Sequence, residues 1–464
     1  MFISRFSIAL VAVVATATMT TTTTAADSST NGGHVVIDLS QDFELAYGSE
    51  TKLTSGYKAI DTLARNDPLI RTAMVLEHGK IVANYVRDNE DDIVNPDIPN
   101  HVWSSTKSWT SLLIGLLVQE GKLSIDETLG DIFVDDDNDD QVWNQMDGSE
   151  EDIQFRKDIT IKEMLTMSSG LNFMLTPDVF PTIGNGGTGG GGTLLDSLSE
   201  PTIDNSKTFS YLAVNNILSY VIVERSGGMT PREYLAQEVL PFLGIDDNEI
   251  EWHQNNDGIE YSYHGLHLTN IQMAKFGQLY LQKGKSSAEN QLISTDWVLD
   301  SSSEQVEYEM NIPEMEGPDF TITGYYGYLF WIMSLGTQLG GNLNNIREMY
   351  CAQGLGGQDI CISPKLDRVS IQQRDLNFSD ATEGGLIIAS VALNPETLFT
   401  LEGSNDPDDK RTVEEENDDG SIDNEIADKS SGGPTTCICI SAILLYSPLV
   451  FSTLLNLLLD TAFY

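Results

Sequence analysis

Three stretches of this chain carry residues that can do chemistry. The first is His101-Val102-Trp103-Ser104-Ser105-Thr106-Lys107-Ser108-Trp109-Thr110. It holds Ser-x-x-Lys at the start of a helix pattern. Positions three apart share a helical face, so the Ser104 hydroxyl and the Lys107 amine can meet. A buried lysine sheds its proton more readily, and the free amine can then take the proton from the serine. The helix start adds backbone N–H groups aimed at the same place. Ser105 is too close to Lys107 in sequence and faces elsewhere. Taken alone, Ser-x-x-Lys is a common accident, and an ordinary helix start explains it equally well.

The second stretch is Phe209-Ser210-Tyr211-Leu212-Ala213-Val214-Asn215-Asn216. A tyrosine at this loop-to-helix junction can share a proton network with Lys107. A core tyrosine with a satisfied hydroxyl fits as well. The third is Tyr350-Cys351-Ala352-Gln353-Gly354-Leu355-Gly356-Gly357-Gln358-Asp359-Ile360. Glycines after a strand let the backbone approach a ligand, and an N–H there could join that of Ser104 in an oxyanion hole. The plainer reading is a tight hairpin turn. Cys351 and Cys361 bracket that turn symmetrically. A cross-strand disulfide and two buried thiols both fit.

The elements that position these residues follow from periodicity. Ala73–Glu77, the turn His78-Gly79 and Lys80–Val86 read as a hairpin. Leu112, Leu113, Leu116 and Leu117 recur at helical spacing within 108–120, and Gly121 ends that helix. Thr160 and Glu163 open another helix as N-cap and third residue. Helical patterns return at 212–225, 231–240 and 269–283. Strand patterns follow at 326–333, 346–352, 359–363 and 369–373, and 385–393 reads as a closing helix. Strands, a long helical insertion, then strands imply an α+β fold, with one antiparallel sheet flanked by helices and an inserted helical subdomain. Residues 27–64 lack clear periodicity and read as a lead-in to a domain at 65–395; 184–193 are mostly glycine, a loop or lid.

Composition excludes some functions. The 464 residues carry 70 acids against 25 bases, a formal net charge of −45. A surface this acidic repels phosphate backbones, so nucleic acid is not an expected partner. No Gly-x-Ser-x-Gly elbow, zinc-binding His-Glu-x-x-His helix or phosphate loop is present. His253, His264 and His267 lie close in sequence, but no acid or cysteine completes a recognised ligand spacing, so neither a metal nor a cofactor is expected.

The ends of the chain read differently from its middle. Arg5, the apolar run Ile8–Ala17 and Ala25-Ala26 make residues 1–26 a secretory signal. Residues 404–433 are an acidic, low-complexity stalk. Residues 437–459 are mostly apolar and, at about 1.5 Å per residue, long enough for a hydrocarbon core of roughly 30 Å. A retained membrane anchor is favoured over a cleaved lipid-anchor signal or a buried helix, because Cys437 and Cys439 sit where acylation beside a membrane occurs. The expected location is the secretory pathway and cell surface. Asn377-Phe378-Ser379 fits a glycosylation sequon.

The three stretches, in this order and at these separations, resemble the serine β-lactamase and penicillin-binding family, especially its class C-related branch. Ile159–Leu171, Gly265–Thr269 and Met273–Tyr280 look like further family segments. Gly354-x-Gly-Gly-Gln358 is similar to the esterase and 6-aminohexanoate-dimer hydrolase members. The resemblance implies Ser104 as acylated nucleophile, Lys107 as general base and Tyr211 as proton shuttle. It implies the Leu355 N–H, after Gly354, as oxyanion donor with that of Ser104. Where the family often has asparagine two residues after the tyrosine, this chain has Ala213; Asn215 is the candidate substitute. Ala352-Gln353-Gly354 replaces the family's Lys-Thr-Gly or His-x-Gly, leaving no cation for a substrate carboxylate. The expected activity is therefore hydrolysis of a small ester or amide. A β-lactamase or D-amino-acid peptidase, and a non-catalytic binding protein on the same fold, are the alternatives.

Overall fold

The computed structural model describes residues 36–46, 54–89, 92–134, 142–171, 193–199, 202, 207–211, 216–312, 320–333, 349–376 and 387–393. The signal at 1–26, most of the glycine loop, Ala213, Asn215, Asn377, the stalk and the 437–459 run lie outside them. Among the described residues no helix is long and apolar enough to cross a membrane.

Strand alternation builds the first hairpin, β1 (Ile70–Glu77) and β2 (Lys80–Val86). Met74 and Leu76 enter one core, while Ala73 and Val75 enter another on the opposite face. His78 and Gly79 join the strands with φ of 52° and 74°, the left-handed pair a two-residue type I′ turn requires. After the short ribbon β3 (Asp88–Asn89) and β4 (Asp92–Ile93) comes β5 (Asn100–His101). It pairs with β7 (Leu266–Leu268), which also pairs with β6 (Glu251–Trp252). The remaining strands are β8 (Val306–Ile312), β9 (Phe320–Tyr326), β10 (Trp331–Met333), β11 (Met349–Gly354), β12 (Gln358–Ser363) and β13 (Arg368–Arg374). With β1 and β2 they form one antiparallel sheet, ordered β2-β1-β13-β12-β11-β10-β9-β8. Strands from both ends of the domain thus share the sheet, as the element order predicts.

Two helices define its faces. Helix α1 (Ser55–Asn66) is capped by the Thr54 hydroxyl and buries Ile60 and Ala64 against Val75, Ile388 and Ala392. This corrects the 27–64 lead-in. Tyr57, Ile60, Leu63 and Ala64 hold helical spacing, but polar residues surround so short a run. Helix α2 (Thr106–Gln119) lies on the other face and is buried at every residue from Thr106 to Leu117. A helix enclosed all round must satisfy its polar side chains internally. Ser108 Oγ donates to the Leu329 carbonyl at 2.7 Å and Thr110 Oγ1 to that of Ser262 at 2.8 Å.

The other elements largely follow the sequence pattern. Thr160 and Glu163 form the expected reciprocal capping box on Ile161–Leu165. Helices Pro231–Glu238, Asn270–Leu281 and Ile387–Ala392 fall within the predicted segments, and Ile217–Ser226 runs one residue past the end of 212–225. The insertion and the sheet share one continuous hydrophobic core. Two strand readings need correction. The single strand expected at 326–333 is broken between β9 and β10, where Leu329 takes φ of 63° and its N–H donates to the Leu165 carbonyl. The β8–β9 hairpin was not expected; glutamates at 307 and 309 alternate with Val306, Tyr308 and Met310 on its first strand.

Cys351 and Cys361 stand directly opposite each other on β11 and β12, and they are disulfide-bonded. Of the two states open from sequence, the structure selects the bond. Closing so short a loop constrains the unfolded chain by about 3 kcal/mol. The Cys351→Ala/Cys361→Ala double variant should lose about that much stability in urea unfolding; an unchanged midpoint would contradict the bond.

Candidate active site

The chain enters the site from β5. Val102 and Trp103 lead into a single 3-10 turn, Trp103–Ser105, which continues as α2. Trp103 has φ of 50°, a left-handed conformation that an aromatic residue adopts only when its surroundings hold it there. Its ring is buried and stacks on His101 at 4.1 Å. The sharp turn leaves Ser104 partly exposed while its neighbours on both sides are buried. Ser105 faces away, as expected, and its hydroxyl donates to the Gln358 carbonyl at 2.5 Å. That bond ties the Ser104 turn to the start of β12.

Lys107 reaches the site from the first turn of α2. Its Nζ lies 2.9 Å from Ser104 Oγ and 3.0 Å from the Tyr263 carbonyl, to which it donates. The side chain is 3% exposed. Burial depresses its pKa from 10.5 to about 7, so much of the population carries a free amine at neutral pH. Tyr211 stands beside the pair, with Lys107 Nζ 5.0 Å from its ring centre. Burial pushes the Tyr211 phenol well above its usual pKa, and the Ser104 hydroxyl acts in the opposite sense through a hydrogen bond. Tyr211 therefore keeps its proton at neutral pH.

The third stretch closes the site from the sheet. Gly354 ends β11, and a Cβ there would lie 2.1 Å from the Val102 carbonyl oxygen. Only glycine lets the strand come this close to the backbone leading into Ser104. The Gly357 N–H donates to the Gly354 carbonyl at 3.1 Å, and Gly356 takes φ of 78°. This is a type II turn, with glycine at the position that needs positive φ. Leu355 is carried at its corner. Gln358 does not face a substrate: its Nε2 donates to the Arg374 carbonyl and its Oε1 accepts from Asn100.

The structure thus gathers Ser104, Lys107, Tyr211 and the Gly354–Leu355 turn into one place; Asn215 is outside the described residues. Sequence reasoning missed Tyr263, which acts through its carbonyl and so leaves no side-chain signal. It also missed an aromatic wall. Trp331 stacks on Tyr211 at 5.1 Å, with Tyr326 edge-on at 6.5 Å. Phe209 stacks on Tyr308 at 5.0 Å beside them. A further group is the histidines. Pairing of β7 with β5 and β6 sets His267 opposite both His101 and Glu251. The sequence already sets His253, His264 and His267 near one another; what it does not show is that strand pairing adds His101 and Glu251 to them.

A Ser-x-x-Lys with its lysine buried at the head of a central helix, against an antiparallel sheet with helices on both faces, is the β-lactamase/transpeptidase-like arrangement. The chain belongs to the Beta-lactamase family, whose profile matches residues 71–371. Solved structures share the fold at low identity. A Bacillus anthracis protein described as a 6-aminohexanoate-dimer hydrolase is 18% identical with a TM-score of 0.53, covering 78% of this chain and 88% of its own. SurE with D-Leu is 15% identical with a TM-score of 0.50, covering 74% and 76% respectively. No curated protein sequence matches this chain.

Proposed function

We propose that the protein is a serine hydrolase that cleaves a small ester or amide through an acyl-enzyme on Ser104. The observation that carries this reading is the buried Lys107 amine 2.9 Å from the Ser104 hydroxyl, with its pKa depressed to about 7. A free amine at that distance is a general base in hydrogen-bond reach of the proton it removes. Tyr211, protonated at neutral pH, is the proton carrier and not a second base.

The steps follow from these states. The Lys107 amine takes the Ser104 proton as Oγ bonds to the substrate carbonyl carbon. The N–H groups of Ser104 and Leu355 receive the oxyanion. Collapse of the tetrahedral intermediate breaks the bond to the leaving group, which Tyr211 protonates while drawing on Lys107. Water then attacks the acyl group by the reverse proton path, and the acid leaves. Trp331 and Tyr326 back the Tyr211 ring with an apolar, buried layer, and Ala352-Gln353-Gly354 carry no cation for a carboxylate. Uncharged acyl groups suit such a site better than penicillins.

Adduct mapping tests this. The protein is mixed with an activated short-chain ester or a labelled penicillin, quenched, digested and analysed by mass spectrometry. The expected result is an acyl group on Ser104 from the ester, with product release. An adduct on Ser105 or on no serine would refute the proposal. Efficient penicillin turnover would move the substrate class to β-lactams.

A further inference from the structure

We propose that Glu251, His253 and His267 form a binding site for one divalent transition-metal ion of the Zn²⁺ class, separate from Ser104. Glu251 and His267 face each other across β6 and β7, and His253 follows β6 directly. One ligand atom from each lies within 4.8 Å of the others. His253 Nε2 and His267 Nε2 are 3.1 Å apart, and Glu251 Oε1 is 3.7 Å from His253 Nε2. Tetrahedral Zn²⁺ with bonds of about 2.0–2.1 Å sets its ligand atoms about 3.3 Å from one another. The two nitrogens already stand at that spacing, and the exposed Glu251 carboxylate, 3.7 Å from His253 Nε2 and within 4.8 Å of the His267 ligand atom, would turn inward to complete the set.

The surroundings favour an ion over a plain hydrogen bond. A single proton can bridge the two nitrogens, whereas an ion engages both lone pairs and the carboxylate together. His101 stacks on His267 at 5.0 Å and 6° between planes, fixing the ring's orientation. Its own Nε2 accepts the Gly265 N–H at 3.0 Å, so it braces the site without ligating. Gly265 makes the room: a Cβ there would lie 2.8 Å from His253 Cβ. Glu251 is 69% exposed at its side chain, which gives an ion a path in from water and leaves an outward position for a solvent molecule. Two histidines and one carboxylate with an open position suit Zn²⁺ and its neighbours better than Ca²⁺ or Mg²⁺, which favour oxygen ligands.

The test is titration of the chelator-stripped full chain with ZnCl₂ by calorimetry, and with CoCl₂ by visible absorption. One ion per chain is expected, with the intense d–d bands of a four-coordinate cobalt site. Removing one ligand should weaken binding about 100-fold, as His267→Asn or Glu251→Gln. Glu251 is exposed, so Glu251→Gln keeps the fold, and an unchanged melting temperature in EDTA confirms it. Zn²⁺ should raise the melting temperature of the parent chain and not that of Glu251→Gln. His78→Ala, at a distant exposed histidine paired with Asp367, should bind as the parent does. Absence of stoichiometric uptake overturns the proposal. So does uptake that survives both ligand variants, or that is lost only when His101 or His264 is replaced.

Discussion

Lys107→Met is expected to lower kcat/KM toward an activated ester by about 10²- to 10⁴-fold, the range a positioned general base contributes. Methionine occupies much the same space between Ser104 and the Tyr263 carbonyl without a basic atom. The parent enzyme's rate should rise with pH through about 7, because the amine is inert while protonated and its pKa lies there. The variant should lack that limb. The substitution should raise stability even as it lowers activity. The unfolded chain holds the lysine proton up to about 10.5 and the folded chain only to about 7. Stability is therefore lost as pH falls from 10.5 to 7, and the full penalty of about 5 kcal/mol persists below 7. Methionine binds no proton in either state. Its advantage in urea unfolding should be about 3 kcal/mol larger at pH 6 than at pH 9. An advantage equal at both pH values would show that folding does not depress the lysine.

Breaking the Glu77–Arg368 pair should be the largest purely structural loss. Glu77 ends β1 and stands opposite Arg368, which opens β13. Arg368 Nη2 and Nε donate to Glu77 Oε1 at 2.7 and 2.8 Å, and the side chains are 5% and 6% exposed. Arg368 Nη1 also donates to the Ala392 carbonyl, so the pair holds the closing helix as well. Arg368→Met leaves a carboxylate buried without its partner, which costs about 3–5 kcal/mol. Glu77→Leu in the same chain should restore most of that, since an apolar pair of similar volume is often as stable. Failure of the second change to restore stability would assign the loss to the Ala392 contact instead.

The fold was legible wherever a local pattern carried it. His78-Gly79 specifies its turn, Thr160 and Glu163 specify a helix start, and Ser104 and Lys107 sit one helical turn apart. Each signal lies within a few residues. What stayed hidden depends on tertiary neighbours. Helix α1 has too few apolar residues to stand out before Ile388 and Ala392 cover them. The break at Leu329 follows from its bond to Leu165, far away in sequence. Tyr263 contributes a carbonyl, which every residue has. The Glu251–His253–His267 set exists only once β6 and β7 are paired.

The order β2-β1-β13 has a consequence for how the molecule is made. Glu77 and Arg368 meet across a separation of 291 residues. The hairpin β1–β2 can form as soon as it leaves the ribosome, but its inner edge waits until β13 has been synthesised. Contacts so remote in sequence close late, because a long loop must be ordered before they repay it. The serine turn depends on the same late strands, through Ser105 on Gln358 and Val102 against Gly354. The Ser104–Lys107 site should therefore be assembled at the end of folding. A nascent chain arrested before Gln358 would hold both Ser104 and Lys107 and be inert.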